Sequence, residues 1–309
     1  LSQLKKMQSD RTIHKITDPS LKTTLFRPIE IANAFASFYK NLYQEPNQIN
    51  NEVKNQTAMF LAKLRLPTLS DEEAAEMISD IRETEVQEAI NKLKNLKSPG
   101  TGGLPGEFYK CFKNILSPIL TQIFNYALKK RVIPNSWSEA IISVIHKEGK
   151  DATICEGYRP ISLLCTDLKL LTSILSKRIQ KYVKKLIHPD QTGFIPNRHS
   201  VNNIRKTLNI IPQTKETNQE SMLISFDAQK AFDTVNWQFL YNTLLIMGFH
   251  PQFVDWIKIL YTNPKSRVRV NEFCSDLFML ERGVRQGDCL SPLHFALNIE
   301  PLAAAIRRN

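Results

Sequence analysis

Apolar residues recur every three or four positions between residues 166 and 187, at Leu168, Leu171, Leu175, Ile179, Tyr182 and Leu186. That spacing predicts one long amphipathic helix. The stretch IEIANAFASFYKNLY has the same period and predicts another. The Asn- and Gln-rich NQINNEVKNQT that follows reads as a loop or linker. Ser70 with Glu73, and Thr84 with Gln87, have capping-box spacing and mark two helix starts. The second helix carries Val86, Ile90 and Leu93 on one face and must stop at KSPGTGG, because Pro99 and the glycines after it cannot continue it. FYKCFKNILSPILTQIFNYALKKRVIP reads as two short helices punctuated by Pro118. SEAIISVIHKEGKD is a β-branched run ending in a turn, as a strand would be. SMLISFDAQ, short, apolar and ending in an acid, is the clearest strand, and a helix closed by Gly248 follows it. KSRVRVNEF alternates as a half-buried strand does, with LFMLERGVRQGD as its antiparallel partner. Ser291 to Arg307 reads as a helix with Pro292 in its first turn. Strands and helices alternate irregularly, without a fixed repeat, which points to an α+β or mixed α/β chain.

Composition narrows the class. The chain has 309 residues, 42% hydrophobic and 23% charged, too apolar for disorder and too charged for a membrane protein. No apolar run approaches the roughly 20 residues of a membrane span. The N-terminus has no secretory leader and does not begin with Met, so an internal piece of a longer chain is expected. Five dispersed cysteines, none at zinc-site spacing, read as reduced thiols in an intracellular protein of the nucleus or cytoplasm. The 41 Lys+Arg exceed the 30 Asp+Glu by 11. Surplus charge serves solubility, or it serves a polyanionic partner. The second reading gains from a block holding Lys177, Arg178, Lys181, Lys184, Lys185, Arg198, Arg205 and Lys206, in which Asp190 is the one acid.

Three segments carry candidate chemistry. In FDAQKAFDTV, Asp227 closes a strongly apolar strand, where an acid is costly unless it pairs or holds a cation. A carboxylate there suits magnesium, although Asp is also a common helix cap. Asp233 in the same segment caps, pairs with a base or supports the turn. In RGVRQGDCLSPLHF two glycines bracket Val-Arg-Gln, so backbone amides are exposed and Gln286 is free to bond a base, sugar or phosphate. In HKEGKD and EGYRPISLL, a hairpin would place Lys147 and Arg159 near each other as a pair of phosphate-binding cations. Phosphate-loop, HExxH and GxSxG patterns are absent from the sequence.

GYRPISLL, DQTGFIPNRHSVNNIR, FDAQKAFDTV and GVRQGDCLSP, in this order, closely resemble the reverse transcriptase of non-LTR retrotransposons, over roughly Glu72 to the last residue. The resemblance implies an α+β right-hand polymerase. Residues 1–68 would be a helical N-terminal extension, 69–222 a fingers-like region, and 223–309 a partial palm. It implies Asp227 as the catalytic metal ligand, with the carbonyl of Ala228 helping to hold a second ion. Phe232 would exclude a ribose 2′-hydroxyl, and Lys147 and Arg159 would hold the incoming triphosphate. Gln286 with Gly287 would contact the nucleotide. The basic block would face an RNA template or DNA primer. Magnesium would be the cofactor, dNTPs the substrate, and two-metal phosphoryl transfer the mechanism.

The sequence departs from the family pattern at several points. The family's palm also has an aromatic-x-Asp-Asp hairpin, and no Asp-Asp pair occurs here. On that ground the chain is expected to hold an incomplete magnesium site and to lack turnover alone. The segment 223–309 is expected to be marginally stable. PGTGG stands where PGPDG is frequent, Cys289 where Pro is common, and His294 where an apolar residue is common. The alternative reading is a non-catalytic nucleic-acid-binding relic; a basic structural protein is a third.

Overall fold

A computed structural model describes residues 12–18, 22–46, 51–217, 220 and 222–308. The helices are α1 (Pro28–Tyr43), α2 (Asn51–Ala62), α3 (Asp71–Met77), α4 (Glu83–Lys92), α5 (Gly106–Cys111), α6 (Lys113–Lys130), α7 (Asn135–Ser138), α8 (Thr166–Leu186), α9 (Val201–Glu216), α10 (Trp237–Ile246), α11 (Pro251–Leu260) and α12 (Ser291–Arg308). The strands are β1 (Ile16–Thr17), β2 (Thr24–Leu25), β3 (Glu139–His146), β4 (Tyr158–Leu164), β5 (Lys265–Val270), β6 (Phe273–Cys274) and β7 (Phe278–Met279). The arrangement is mixed α and β, compatible with a reverse transcriptase-like fold.

β3 and β4 form the antiparallel hairpin that the sequence suggested, with His146 opposite Tyr158. β5 lies parallel to β3 on its other side, and the short β6 and β7 pair antiparallel with β5. β5 alternates buried Ser266, Val268 and Val270 with half-exposed Lys265, Arg267 and Arg269, as its period required. α1 begins on Pro28, whose missing amide costs nothing in a first turn. Its Ile31, Phe35 and Tyr39 pack with Ile142, Tyr158, Val268 and Val270 in one apolar cluster. A second cluster joins α4, α6, α8, α10, α11 and α12 through Ile90, Phe124, Leu171, Leu175, Leu240, Phe253 and Leu297.

Several expectations need correction. SMLISFD is no strand among its described residues: 222–228 are irregular, with Met222 82% and Phe226 87% exposed. A short apolar strand is held by its neighbours, and none of the described strands pairs with it; Ser221 lies outside the described residues. The Asn-rich stretch after α1 is helical over α2, with Leu61 buried as its anchor; residues 47–50 lie outside the described part. α4 starts at Glu83, so Thr84 sits inside it, and Glu85 takes the capping role by accepting from the Arg82 amide. The break before α6 falls at Phe112 rather than Pro118, which the helix accommodates near its start. The buried stripe of α8 ends through Val183; Tyr182 turns its hydroxyl outward to Glu76.

Candidate functional site

The second half of the chain builds a site by folding two loops onto each other. The amides of Gly283 and Val284 donate to the carbonyls of Val235 and Phe232, both at 2.7 Å. Gly283 has φ +88°, and a Cβ there would stand 2.7 Å from the Asp233 carbonyl oxygen, so only glycine permits this approach. Three residues on, the Ser162 amide of β4 donates to the Gln286 carbonyl at 2.7 Å. Gly287, at φ +122°, passes so close that a Cβ would meet the Ser162 carbonyl oxygen at 2.6 Å. Between them Arg285 donates to the carbonyls of Ser138 (2.6 Å) and Lys265 (3.0 Å), tying the loop to the starts of β3 and β5. Burial pulls the Arg285 pKa down to about 10, still charged at neutral pH. The Arg-Gln-Gly triplet thus divides its work between an anchor, an inward-facing amide and a close crossing.

These contacts bring Asp233 and Gln286 to one pocket of about 200 Å³, together with Lys147, Glu156 and Arg159 of the β3–β4 hairpin, and Lys230. α1 supplies the remaining wall through Phe38, Tyr39 and Leu42. Lys147 Nζ donates to the Glu156 carbonyl at 2.8 Å, and Lys230 Nζ sits 4.7 Å from the centre of the Phe38 ring. The Tyr43 hydroxyl donates to Asp233 Oδ1 at 2.9 Å in a buried setting. Burial holds the Asp233 pKa above the ordinary 3.8, against the pull of its bonds with Tyr43 and Gln286 and of Lys230 and Lys147. Burial, with Asp233 next, likewise drives Tyr43 and Tyr39 well above a normal phenol.

Of the residues singled out from sequence, Lys147, Arg159 and Gln286 share this pocket, with Gly287 adjoining it. Phe232 lies in a ring cluster, stacked on Phe295 at 5.2 Å and edge-on to Phe194 at 5.5 Å. Asp227 and Ala228 stand exposed on the irregular segment and do not line the pocket. No three His, Cys, Asp or Glu side chains gather for a metal ion among the described residues, so the donor set around Asp227 does not fit magnesium. Tyr43, Lys230 and the wall from α1 were missed from sequence. Their signal was weak: Phe35, Tyr39 and Tyr43 at four-residue spacing read only as a helix face.

The basic block has many partners within the chain. Lys177 pairs with Glu88, Lys181 with Glu76 and Lys185 with Glu73. Arg178 binds Glu85 at 2.9 Å and also donates to the carbonyls of Met77, Ser79 and Asp80. Arg198 donates to the carbonyls of Lys184, Ile187, His188 and Gln191, and Lys206 pairs with Asp190. Lys184 and Arg205 make no ion pair among the described residues.

The profile of the family described as "Reverse transcriptase (RNA-dependent DNA polymerase)" matches residues 145–309, more than half of the chain. The chain is 32% identical over 286 residues to the "Transposon TX1 uncharacterized 149 kDa protein" of Xenopus laevis, covering 93% of this chain and 21% of that protein. It is 28% identical over 287 residues to the "Probable RNA-directed DNA polymerase from transposon BS" of Drosophila melanogaster, covering 90% of this chain and 32% of that protein. It is 29% identical over 224 residues to the "RNA-directed DNA polymerase from mobile element jockey" of the same fly, covering 71% and 24%. The chain therefore spans between about a fifth and a third of the length of these curated relatives.

Proposed function

We propose, from the premise that this chain belongs to the reverse transcriptase family of non-LTR retrotransposons, that its pocket receives the triphosphate of an incoming deoxynucleotide during RNA-templated DNA synthesis. The observation that carries this reading is the convergence of Lys147, Arg159 and Gln286 on one cavity. Two cations suit a polyanion, Arg by a two-toothed contact and Lys by a mobile charge. Gln286 offers an amide for the sugar or base. The buried Asp233 limits the net positive charge and holds the Gln286 side chain in place.

The finer architecture belongs to the same proposal. The motif order supports a fingers-like region over 69–222, a partial palm over 223–309 and an N-terminal extension over 1–68. α1 of that extension packs against the sheet and walls the pocket. RNA template and DNA primer are the proposed partners. Among the described residues no helix is long and apolar enough to cross a membrane. Reverse transcriptases generally use divalent metal ions; since the residues around Asp227 do not assemble a donor set here, no step is routed through one.

The test is equilibrium binding of a fluorescent deoxynucleoside triphosphate to the full chain. Lys147→Ala/Arg159→Ala is expected to weaken it about a hundredfold, two charge-assisted contacts being worth about 3 kcal/mol or more. Unchanged affinity in a folded double variant rejects the pocket. A second reading, nucleic-acid binding without turnover, is favoured by the exposed position of Asp227 off the pocket. Primer extension on RNA decides between the two. Extension that is lost in Asp227→Asn eliminates the second reading, and absence of extension by the wild-type chain supports it.

A further inference from the structure

On a part of the molecule that shares no residue with the nucleotide pocket lies a larger cavity of about 710 Å³. It opens where the ends of α8 and α12 meet the loop after α2. Leu64, Pro67, Ile187 and Pro189 give it an apolar floor. Arg65, Lys184, Lys185, Arg307 and Arg308 line it as cations. Glu300 is the one acidic residue in the lining.

The bland account is that these cations serve two helix C-termini, where positive charge is favoured. It covers part of the set. Arg308 donates to the Lys63 carbonyl, Arg307 pairs with Glu300, and Lys185 with Glu73. It does not cover Arg65 and Lys184, which form no ion pair among the described residues. Nor does it cover Glu300. That side chain is 1% exposed, and one oxygen accepts from Arg307. The other oxygen, Oε2, has no hydrogen-bond partner among the described residues. A buried carboxylate oxygen without a donor is costly, so it marks the place of a missing hydroxyl or amine.

We propose that this cavity is a second RNA-binding site, in which Arg65 and Lys184 hold a backbone phosphate and Glu300 Oε2 accepts the ribose 2′-hydroxyl. The apolar floor receives the sugar or base. Cations for phosphate, with an acceptor for the hydroxyl that DNA lacks, fit a ribonucleotide strand better than a deoxyribonucleotide one. The inference does not depend on the reading of the other pocket.

The test is fluorescence anisotropy of a short single-stranded RNA, and of DNA of the same sequence, across a salt series with the full chain. Arg65→Ala/Lys184→Ala is expected to weaken RNA binding about tenfold and to flatten the slope of log affinity against log salt by about 1.4, two phosphate contacts at single-strand stoichiometry. Lys129→Ala/Lys130→Ala removes the same charge elsewhere and is expected to leave RNA affinity within about twofold. RNA is expected to bind more tightly than DNA, and Glu300→Gln to narrow that difference. Where the double variant fails to fold, lysine acetylation of the wild-type chain decides: RNA is expected to shield Lys184. Equal loss in both double variants, an unchanged Arg65/Lys184 variant, or unshielded Lys184 overturns the site. Equal affinity for DNA overturns the ribose contact.

Discussion

Asp233 shows how one buried carboxyl organises the pocket. Its folded pKa lies above 3.8, so the folded chain binds its proton more readily than the unfolded chain. The cost of burying the charge is therefore full above the folded pKa and fades as pH falls through it. The Tyr43 hydroxyl offsets part of that cost. Tyr43→Phe is expected to destabilise the chain by about 1–3 kcal/mol at neutral pH, and by less once Asp233 is protonated; urea titrations at two pH values check this. His294 works in the opposite sense. Burial drives its pKa from 6.5 to about 3, and its Nδ1 lies 2.9 Å from the Tyr261 hydroxyl. It stays neutral when folded, so its favourable term is intact above 6.5 and is lost as pH falls toward 3. Between about pH 7 and pH 5 the wild-type chain is expected to lose about 2 kcal/mol more than His294→Gln, which keeps polarity but takes no proton. Equal losses in the two chains rule this out.

At the scale of elements, the basic face of α8 is a joint between helices. Arg178 is only 9% exposed and Glu85 15%, and the guanidinium also gathers three carbonyls that end α3 and the loop after it. Arg178→Ala is expected to cost about 3–5 kcal/mol, because it strands a half-buried carboxylate and those carbonyls. Lys177→Ala and Lys181→Ala, on exposed pairs, are expected to stay within about 1 kcal/mol. Denaturant midpoints of the three variants test the contrast. The sequence displayed the charges of α8 but not their partners, since Glu76, Glu85 and Glu88 lie about ninety to a hundred positions upstream. α8 itself was legible because its apolar period runs unbroken for most of 21 residues. α2 was not, because one buried anchor, Leu61, outweighs an Asn- and Gln-rich surface. SMLISFD misled for a related reason: an apolar run announces a preference for burial, whereas a strand also needs a neighbour, and that information is not local.

Across the whole molecule, sheet and helices meet at the loops carrying Asp233 and Gln286, and α1 closes the third side. The hairpin pairing of Lys147 with Arg159 was readable from turn and strand signals. The contribution of α1 was not, because it joins residues about 190 positions apart. The exposed apolar segment 222–228 stands apart from this frame. In hydrogen exchange its amides are expected to exchange among the fastest, and those of β3 and the middle of α8 among the slowest; strong protection of 222–228 contradicts the exposure seen here. The central claim concerns the pocket, and photo-crosslinking with an azido-deoxynucleoside triphosphate, mapped by mass spectrometry, tests it most directly. Adducts are expected on peptides holding Lys147, Arg159 or Gln286, and are expected to disappear under excess unlabelled nucleotide. Specific adducts confined to the 177–206 region, with none on those peptides, would contradict it.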